Sequence, residues 1–287
     1  MGVTAAMSTS SPARPCALCE AESRDELSHI VPAFVYRWLK QSSPTGFFRA
    51  AVKPNLRLQD GPKQPLLGRN CEDMFSRWET RFSEVIFREV HHNKVSNLSF
   101  NYDDWLARFC VGTSWRSLSY LLESKPDVSL PFGHEAAARV ALECWRTYLL
   151  GRSRFIAPHW QYFLILDTPI SVPNEEERAD MSLFIHRGVD IDTMHAPGEC
   201  YVFTKMCNAL IIGTILDENP RQWQGCKVGL SGGVYRCPQD FRVSGCFMKY
   251  FETALDQIRQ ARRQISPQQI EKMNAALQRR NPDSPKG

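Results

Sequence analysis

Apolar positions recur at helical spacing over several long stretches of the chain and in short extended runs between them. Over Ala33–Lys40 they put Phe34, Val35 and Trp38 on one side of a helix. Pro32 suits its start, because a proline lacks the N–H that the first turn leaves unpaired. A longer helix is predicted from Asn70 to His91, with Cys71, Phe75, Trp78, Phe82, Val85 and Ile86 on its apolar face. Period and length predict helices at Asp103–Glu123, His134–Leu150, Phe247–Gln264 and Pro267–Arg279. The last opens on Ser266-Pro267, with Gln269 three residues beyond the serine. Strand-like runs fall at Tyr162–Asp167, Met181–Val189, Cys200–Thr204, Ala209–Leu216 and Lys227–Leu230. Near the N-terminus, Leu27–Pro32 reads as a short extended segment. Asp60-Gly61 between Asn55–Gln59 and Gln64–Leu67 signals a hairpin, on an edge strand because of Pro62 and Pro65.

The order of these elements predicts an α+β protein. A small N-terminal unit of hairpin and helix, residues 15–95, precedes a larger domain, 96–287, of helices beside an antiparallel sheet. Residues 1–14 are small, polar and proline-containing, and read as a disordered leader rather than a signal peptide. Over 287 residues, 43% hydrophobic and 23% charged, there is enough chain for one large core or two modest ones, and two units are expected. The formal charge of +4 permits a nucleic-acid partner without requiring one. Ten cysteines scattered through apolar runs argue for a reducing cytoplasm rather than a secreted disulfide scaffold. No run approaches 18 apolar residues, so no membrane span is expected.

The candidate chemistry lies between Cys16 and His92. Cys16-Ala17-Leu18-Cys19 has the spacing of a zinc knuckle, in which a tight turn brings two thiolates to one tetrahedral ion; the same spacing also serves redox pairs and buried thiols. A third thiol, Cys71, falls where the long helix begins. His29 stands just before a helix, as a reactive base or as a histidine that caps the helix or fills the core. Glu72 and Glu79 lie two turns apart and share a side of their helix, although a carboxylate at a helix N-terminus is also a common stabilising feature. His91-His92 at the helix end either complements its C-terminal dipole or supplies a ligand. The arginines at 259, 262, 263, 279 and 280 read as a solvated face, and His159, His186, Asp190, Asp192 and His195 as surface or core residues.

Together Cys16-x-x-Cys19, Ser28-His29-Ile30-Val31-Pro32, the hairpin bearing Asn55, and Cys71-Glu72 resemble the HNH endonucleases. The resemblance is to a loose group of bacterial HNH-like proteins, of uncharacterised or defence-associated kind, that carry Ser-His-Ile-x-Pro and Cys-Glu motifs. The resemblance covers roughly residues 14 to 92. It implies a hairpin-plus-helix site locked by a structural zinc, and hydrolysis of nucleic-acid phosphodiesters, with DNA the expected partner and antiviral defence the setting. It makes His29 the general base, Glu72 the ligand of a catalytic Mg²⁺ or Mn²⁺, and Asn55 the residue that orients the hairpin, with Asn70 as substitute. Cys16, Cys19 and Cys71 become zinc ligands. Gly68 stands where the fourth cysteine belongs, so either the fourth ligand is one of His91, His92, Asp73 and water, or the zinc is lost and packing of Trp78, Phe82 and Phe34 holds the fold. Ser28 stands where the family has an acidic residue or a histidine. The alternative is a catalytically inactive HNH-like zinc finger acting as a nucleic-acid-binding or interaction scaffold. In either case residues 96–287 are expected to receive a protein partner or an activating signal.

Overall fold

Short strands and a long helix build the first part of the chain. The computed structural model describes residues 14–24, 27–92, 98–124, 130, 133–166 and 174–280, so the expected leader falls, but for Arg14, outside the described residues. Strand β1 (Leu27–His29) runs into helix α1 (Ala33–Ser42), whose Phe34, Val35, Tyr36 and Leu39 are buried, with Trp38 packed at the margin of the core. Two further strands, β2 (Phe48–Ala50) and β3 (Lys53–Leu58), pair with each other. Strand β4 (Lys63–Pro65) pairs antiparallel with β1, setting His29 opposite Lys63 and Ser28 opposite Gln64.

The hairpin predicted around Asp60-Gly61 is therefore not formed by its flanking runs. The turn instead passes the chain from one two-stranded ribbon to another. The edge of β3 is taken by β2, and the Pro62 carbonyl accepts the Ile30 N–H at 3.1 Å, which draws the following residues to β1. Gly61 lies so close to the Tyr36 ring that a Cβ there would overlap it, so the turn needs glycine.

Helix α2 (Arg69–Phe82) continues through a π-helical turn at Ser83–Phe87 into α3 (Arg88–His92), so the long helix expected from the sequence is one run with a widened turn. Of the predicted apolar face, Cys71, Phe75, Phe82 and Ile86 are buried and Trp78 and Val85 pack at the margin of the core, while Phe87 and Val90 are buried in addition.

Strand β5 (Ser99–Tyr102) leads into α4 (Asp104–Ser124) and α5 (His134–Leu149), followed by β6 (Gln161–Ile165). Then come α6 (Glu175–Arg187), β7 (Val189–Ala196), β8 (Glu199–Met206) and β9 (Ala209–Asp217). A short strand β10 (Gly233–Arg236), paired with β5, and helices α7 (Gly245–Arg263) and α8 (Pro267–Arg280) complete the α+β fold. The main sheet has the antiparallel order β6-β9-β8-β7. Side chains alternate between its faces: Phe163, Val202 and Ile211 join the core with α4 and α5, while Tyr162, Phe203 and Ile212 join a second cluster with α6 and α7. Both faces are covered, so these strands read as continuous apolar runs.

Two strand expectations are corrected. Met181–Val189 is mostly the second half of α6; Asn174 caps that helix by accepting the Glu177 N–H at 2.8 Å, and three glutamates occupy its first turn. The strand follows at Val189 instead. Lys227–Leu230 forms only an isolated bridge from Lys227 to Tyr162, and the pairing strand lies later, at β10.

The N-terminal elements and the later helices meet over one shared core. Phe82 of α2 stacks on Phe109 of α4 with ring centroids 4.0 Å apart and meets Phe163 of β6 edge-on. Among the described residues no helix is long and apolar enough to cross a membrane.

Candidate functional site

Cys16, Cys19 and Cys71 converge, their sulfur atoms all within 4.8 Å of one another. The knuckle closes through Glu20 N–H to the Cys16 carbonyl (3.0 Å), with Glu20 in the left-handed region at φ 63°. Cys16 N–H donates to Glu22 O (2.6 Å) and Ala17 N–H to Leu66 O (2.9 Å), which lays the knuckle against the segment entering α2. Cys71 then reaches it from the first turn of that helix. Burial pushes the Cys16 thiol up, but N–H groups of Cys19, Gly68 and Leu18, with the Cys19 thiol, outweigh it, so the Cys16 thiol sits below its ordinary value. Burial and the two neighbouring sulfurs hold Cys71 well above it. Three sulfur atoms within reach of one ion, with Cys16 and Cys71 buried, are compatible with a thiolate-bound metal.

A fourth ligand does not come from the residues proposed for it. His91 and His92 lie some twenty residues along the helix from Cys71, about 30 Å at 1.5 Å per residue. His91 is packed between Trp38 and Phe87 instead, its Nδ1 2.6 Å from Phe87 O. Asp73 is exposed. Among the described residues no fourth His, Cys, Asp or Glu joins the group. A side chain at Gly68 would meet Glu22, whose carboxylate takes the Asn70 backbone N–H (3.0 Å) and side-chain amide. Asn70 thus serves the knuckle rather than the hairpin.

Strand β1 and helix α2 place the remaining groups. Adjacent residues on a strand face opposite ways. Ser28, buried, donates its hydroxyl to Glu72 Oε1, while His29 turns to the other side, Nε2 2.8 Å from Asp60 Oδ1. Asp60 also takes the Lys63 ammonium at 2.6 Å and the Gly61 N–H at 3.0 Å. Burial pushes its carboxyl up, but these partners and His29 outweigh that and hold it at about 2. Asp60 is legible in the sequence only as a turn residue, and the pairing of β1 with β4 is what brings it to His29.

Arg116 carries no signal in the sequence either. It projects from α4, its side chain 3% exposed, and its Nη1 donates to Glu79 Oε1 (2.8 Å) and to the carbonyl of His29 (2.7 Å). Burial pushes the Glu79 carboxyl up, with Arg116 pulling against it and the nearby Glu72 adding to the rise.

Asn55 is not part of this group. Its amide donates to Gln264 O (2.9 Å) and its carbonyl accepts the Ser266 N–H (2.9 Å), so it binds β3 to the junction of α7 and α8. The direct contacts with His29 come from Asp60, at the imidazole, and from Arg116, at the backbone carbonyl.

Of the two carboxylates here, Glu79 is held by Arg116 and Glu72 accepts the Ser28 hydroxyl on Oε1, so a catalytic divalent ion would have Glu72 Oε2 as its protein ligand. Mg²⁺ commonly takes one or two protein carboxylates and completes its shell with water and substrate phosphate oxygens. A single carboxylate therefore suits an ion that arrives with a phosphodiester rather than one caged by the protein. Comparison with protein-family models, curated proteins and solved structures finds no match.

Proposed function

We propose that the chain is a metal-dependent HNH-type endonuclease that hydrolyses phosphodiesters of nucleic acid, DNA in the first instance, in a reducing cytoplasm. The observation that supports this reading most is the shared construction of two sites. Cys71 and Glu72 are adjacent at the head of α2, so the element that completes the thiol cluster also sets Glu72 against Ser28, the neighbour of His29. A structural Zn²⁺ on Cys16, Cys19 and Cys71 would lock that geometry.

His29 is the base. With Nε2–H donated to Asp60, Nδ1 keeps its lone pair and takes the proton of a water as the water oxygen bonds to phosphorus. The bond from phosphorus to the leaving oxygen then breaks, and that oxygen is protonated from solvent. Asp60 holds the imidazole orientation. Glu72 would hold Mg²⁺ or Mn²⁺, which when bound supplies charge stabilisation at the phosphoryl and leaving oxygens.

The test is cleavage of plasmid DNA by the purified protein with and without Mg²⁺ or Mn²⁺, beside His29→Ala. Cleavage that needs both the ion and His29, in a variant that melts like the wild type, carries the reading. A second reading, an inactive HNH-like zinc finger that binds nucleic acid or a protein partner, is favoured by one contact: the Ser28 hydroxyl occupies one of the two Glu72 oxygens and leaves a single one to an ion. DNA binding without cleavage under either ion would select it.

A further inference from the structure

We infer that Arg116, carried into the site by a helix of the larger domain, is the positioning residue for His29; the inference rests on His29 being the base. Helix α4 is buried along most of its length, and Arg116 lies in its interior between Trp115 and Ser117, both buried. A guanidinium in that place carries a heavy desolvation cost, and an apolar pair of similar volume would serve stability as well or better. Its hydrogen bonding also departs from what a stabilising ion pair would adopt. A guanidinium built to hold a carboxylate presents two N–H groups in parallel. Here Nη1 alone is shared between Glu79 Oε1 and the His29 carbonyl, while Nε and Nη2 have no hydrogen-bond partner among the described residues. The guanidinium carbon lies 4.7 Å above the Phe75 ring, which supports the cation from α2.

That geometry fixes a spacing. Arg116 grips the backbone of His29 on one side and Glu79 of α2 on the other, and Glu79 shares its helix face with Glu72. The other side of the same backbone is held by the Ile30 N–H to Pro62 O contact, at 3.1 Å, and by pairing with β4. The backbone of His29 is thus held on both sides relative to α2, and its imidazole extends from that fixed backbone to Asp60. A displacement of about 1 Å in such a group can cost about 100-fold in rate.

The experiment compares wild type, Arg116→Lys, and the double variant Arg116→Met/Glu79→Met, in which no charge is left buried alone. Each is read three ways: melting temperature, kcat and KM for plasmid cleavage with Mg²⁺ or Mn²⁺, and the ¹³Cε1–¹Hε1 resonance of His29. The double variant should melt close to wild type, turn over about 10- to 100-fold more slowly with KM little changed, and show a displaced His29 resonance. Arg116→Lys, which keeps the charge without the planar fork, should recover part of the rate. A double variant with wild-type kcat and an unmoved His29 resonance overturns the inference. If the wild type does not cleave, or His29→Ala cleaves normally, the nuclease reading has failed. An unmoved resonance then overturns the positioning role as well, and a displaced one upholds Arg116 as the residue that sets His29.

Discussion

His29 Nε2 lies 2.8 Å from Asp60 Oδ1, and Lys63, the residue opposite His29 in the strand pair, holds the other oxygen of the same carboxylate at 2.6 Å. The turn between two ribbons is thereby an orienting device for the imidazole. Asp60→Asn keeps the shape but lets the amide donate to Nε2, which favours the tautomer with its proton on Nδ1, the wrong nitrogen for a base. Turnover should fall by about 10- to 100-fold, within the usual range for general-base catalysis. Since Asp60 is partly exposed, the melting temperature should hardly move. Wild-type turnover in Asp60→Asn would remove Asp60 from the machinery.

The thiol cluster makes a prediction that does not depend on cleavage. If Cys16, Cys19 and Cys71 hold zinc, metal binding contributes on the order of 10 kcal/mol or more to folding of this region. Elemental analysis should find one zinc per chain in the wild type and none in Cys16→Ser. Limited proteolysis should cut Cys16→Ser around the knuckle and the head of α2 under conditions the wild type survives. A wild type without zinc that melts like Cys16→Ser would end the metal assignment.

Much of the scaffold is legible because its signals are local. Helices α1, α4, α5, α7 and α8 have helical period and adequate length, and β6, β8 and β9 are apolar runs bounded by turn residues. Helix α6 reads as a strand because Met181, Phe184 and Ile185 mimic one, although its deciding signal, Asn174 followed by three glutamates, lies just upstream. The hairpin fails for a different reason: the partner of β4 is β1, far back in the chain, and no local pattern encodes a non-local pairing. The same limit applies to the site. Glu72 stands out only through the HNH resemblance, while Cys16 and Cys19 announce themselves by spacing and Cys71 by its place at a helix start. Arg116 does not, because an arginine within an amphipathic pattern ordinarily faces water, and only the packing of α4 against α2 buries it.

His91 carries a prediction for acid stability. Burial lowers its pKa to about 4 despite the Phe87 carbonyl beside Nδ1, and His186, His92 and Arg187 add to the depression. The unfolded chain therefore takes up a proton near 6.5 that the folded chain refuses until about 4. Between those values the unfolded state binds more protons, so stability rises with pH across the window and is lost as pH falls through it. One such proton changes stability by at most about 1.4 kcal/mol per pH unit. Melting curves from about pH 7 to about pH 4 should therefore decline more steeply for wild type than for His91→Leu, whose side chain packs against Trp38 and Phe87 without titrating. Parallel declines would show that His91 contributes nothing to acid lability.

Asn55 separates the geometry from the resemblance that first drew attention to it. Its side chain binds both sides of the α7–α8 junction, donating to Gln264 O and accepting from Ser266 N–H, each at 2.9 Å. Arg49 on the neighbouring strand reaches the same helix through Gln269 at 2.9 Å. These contacts dock the C-terminal helix on the β2–β3 ribbon and make none with His29. Asn55→Ala should therefore cost about 1–2 kcal/mol for two exposed hydrogen bonds to backbone, which lowers the melting temperature by a few degrees in a chain of this size, about 2–4 °C per kcal/mol. Because α8 exposes Ile270 and Leu277 and buries none of its described side chains fully, the loss should appear as faster hydrogen exchange in α8. Nuclease turnover should stay within about twofold that of wild type, since an effect at His29 would have to pass through β3 and the Asp60 turn. Turnover slowed by about 100-fold or more, with exchange in α8 unchanged, would return Asn55 to the catalytic group and sink the docking assignment.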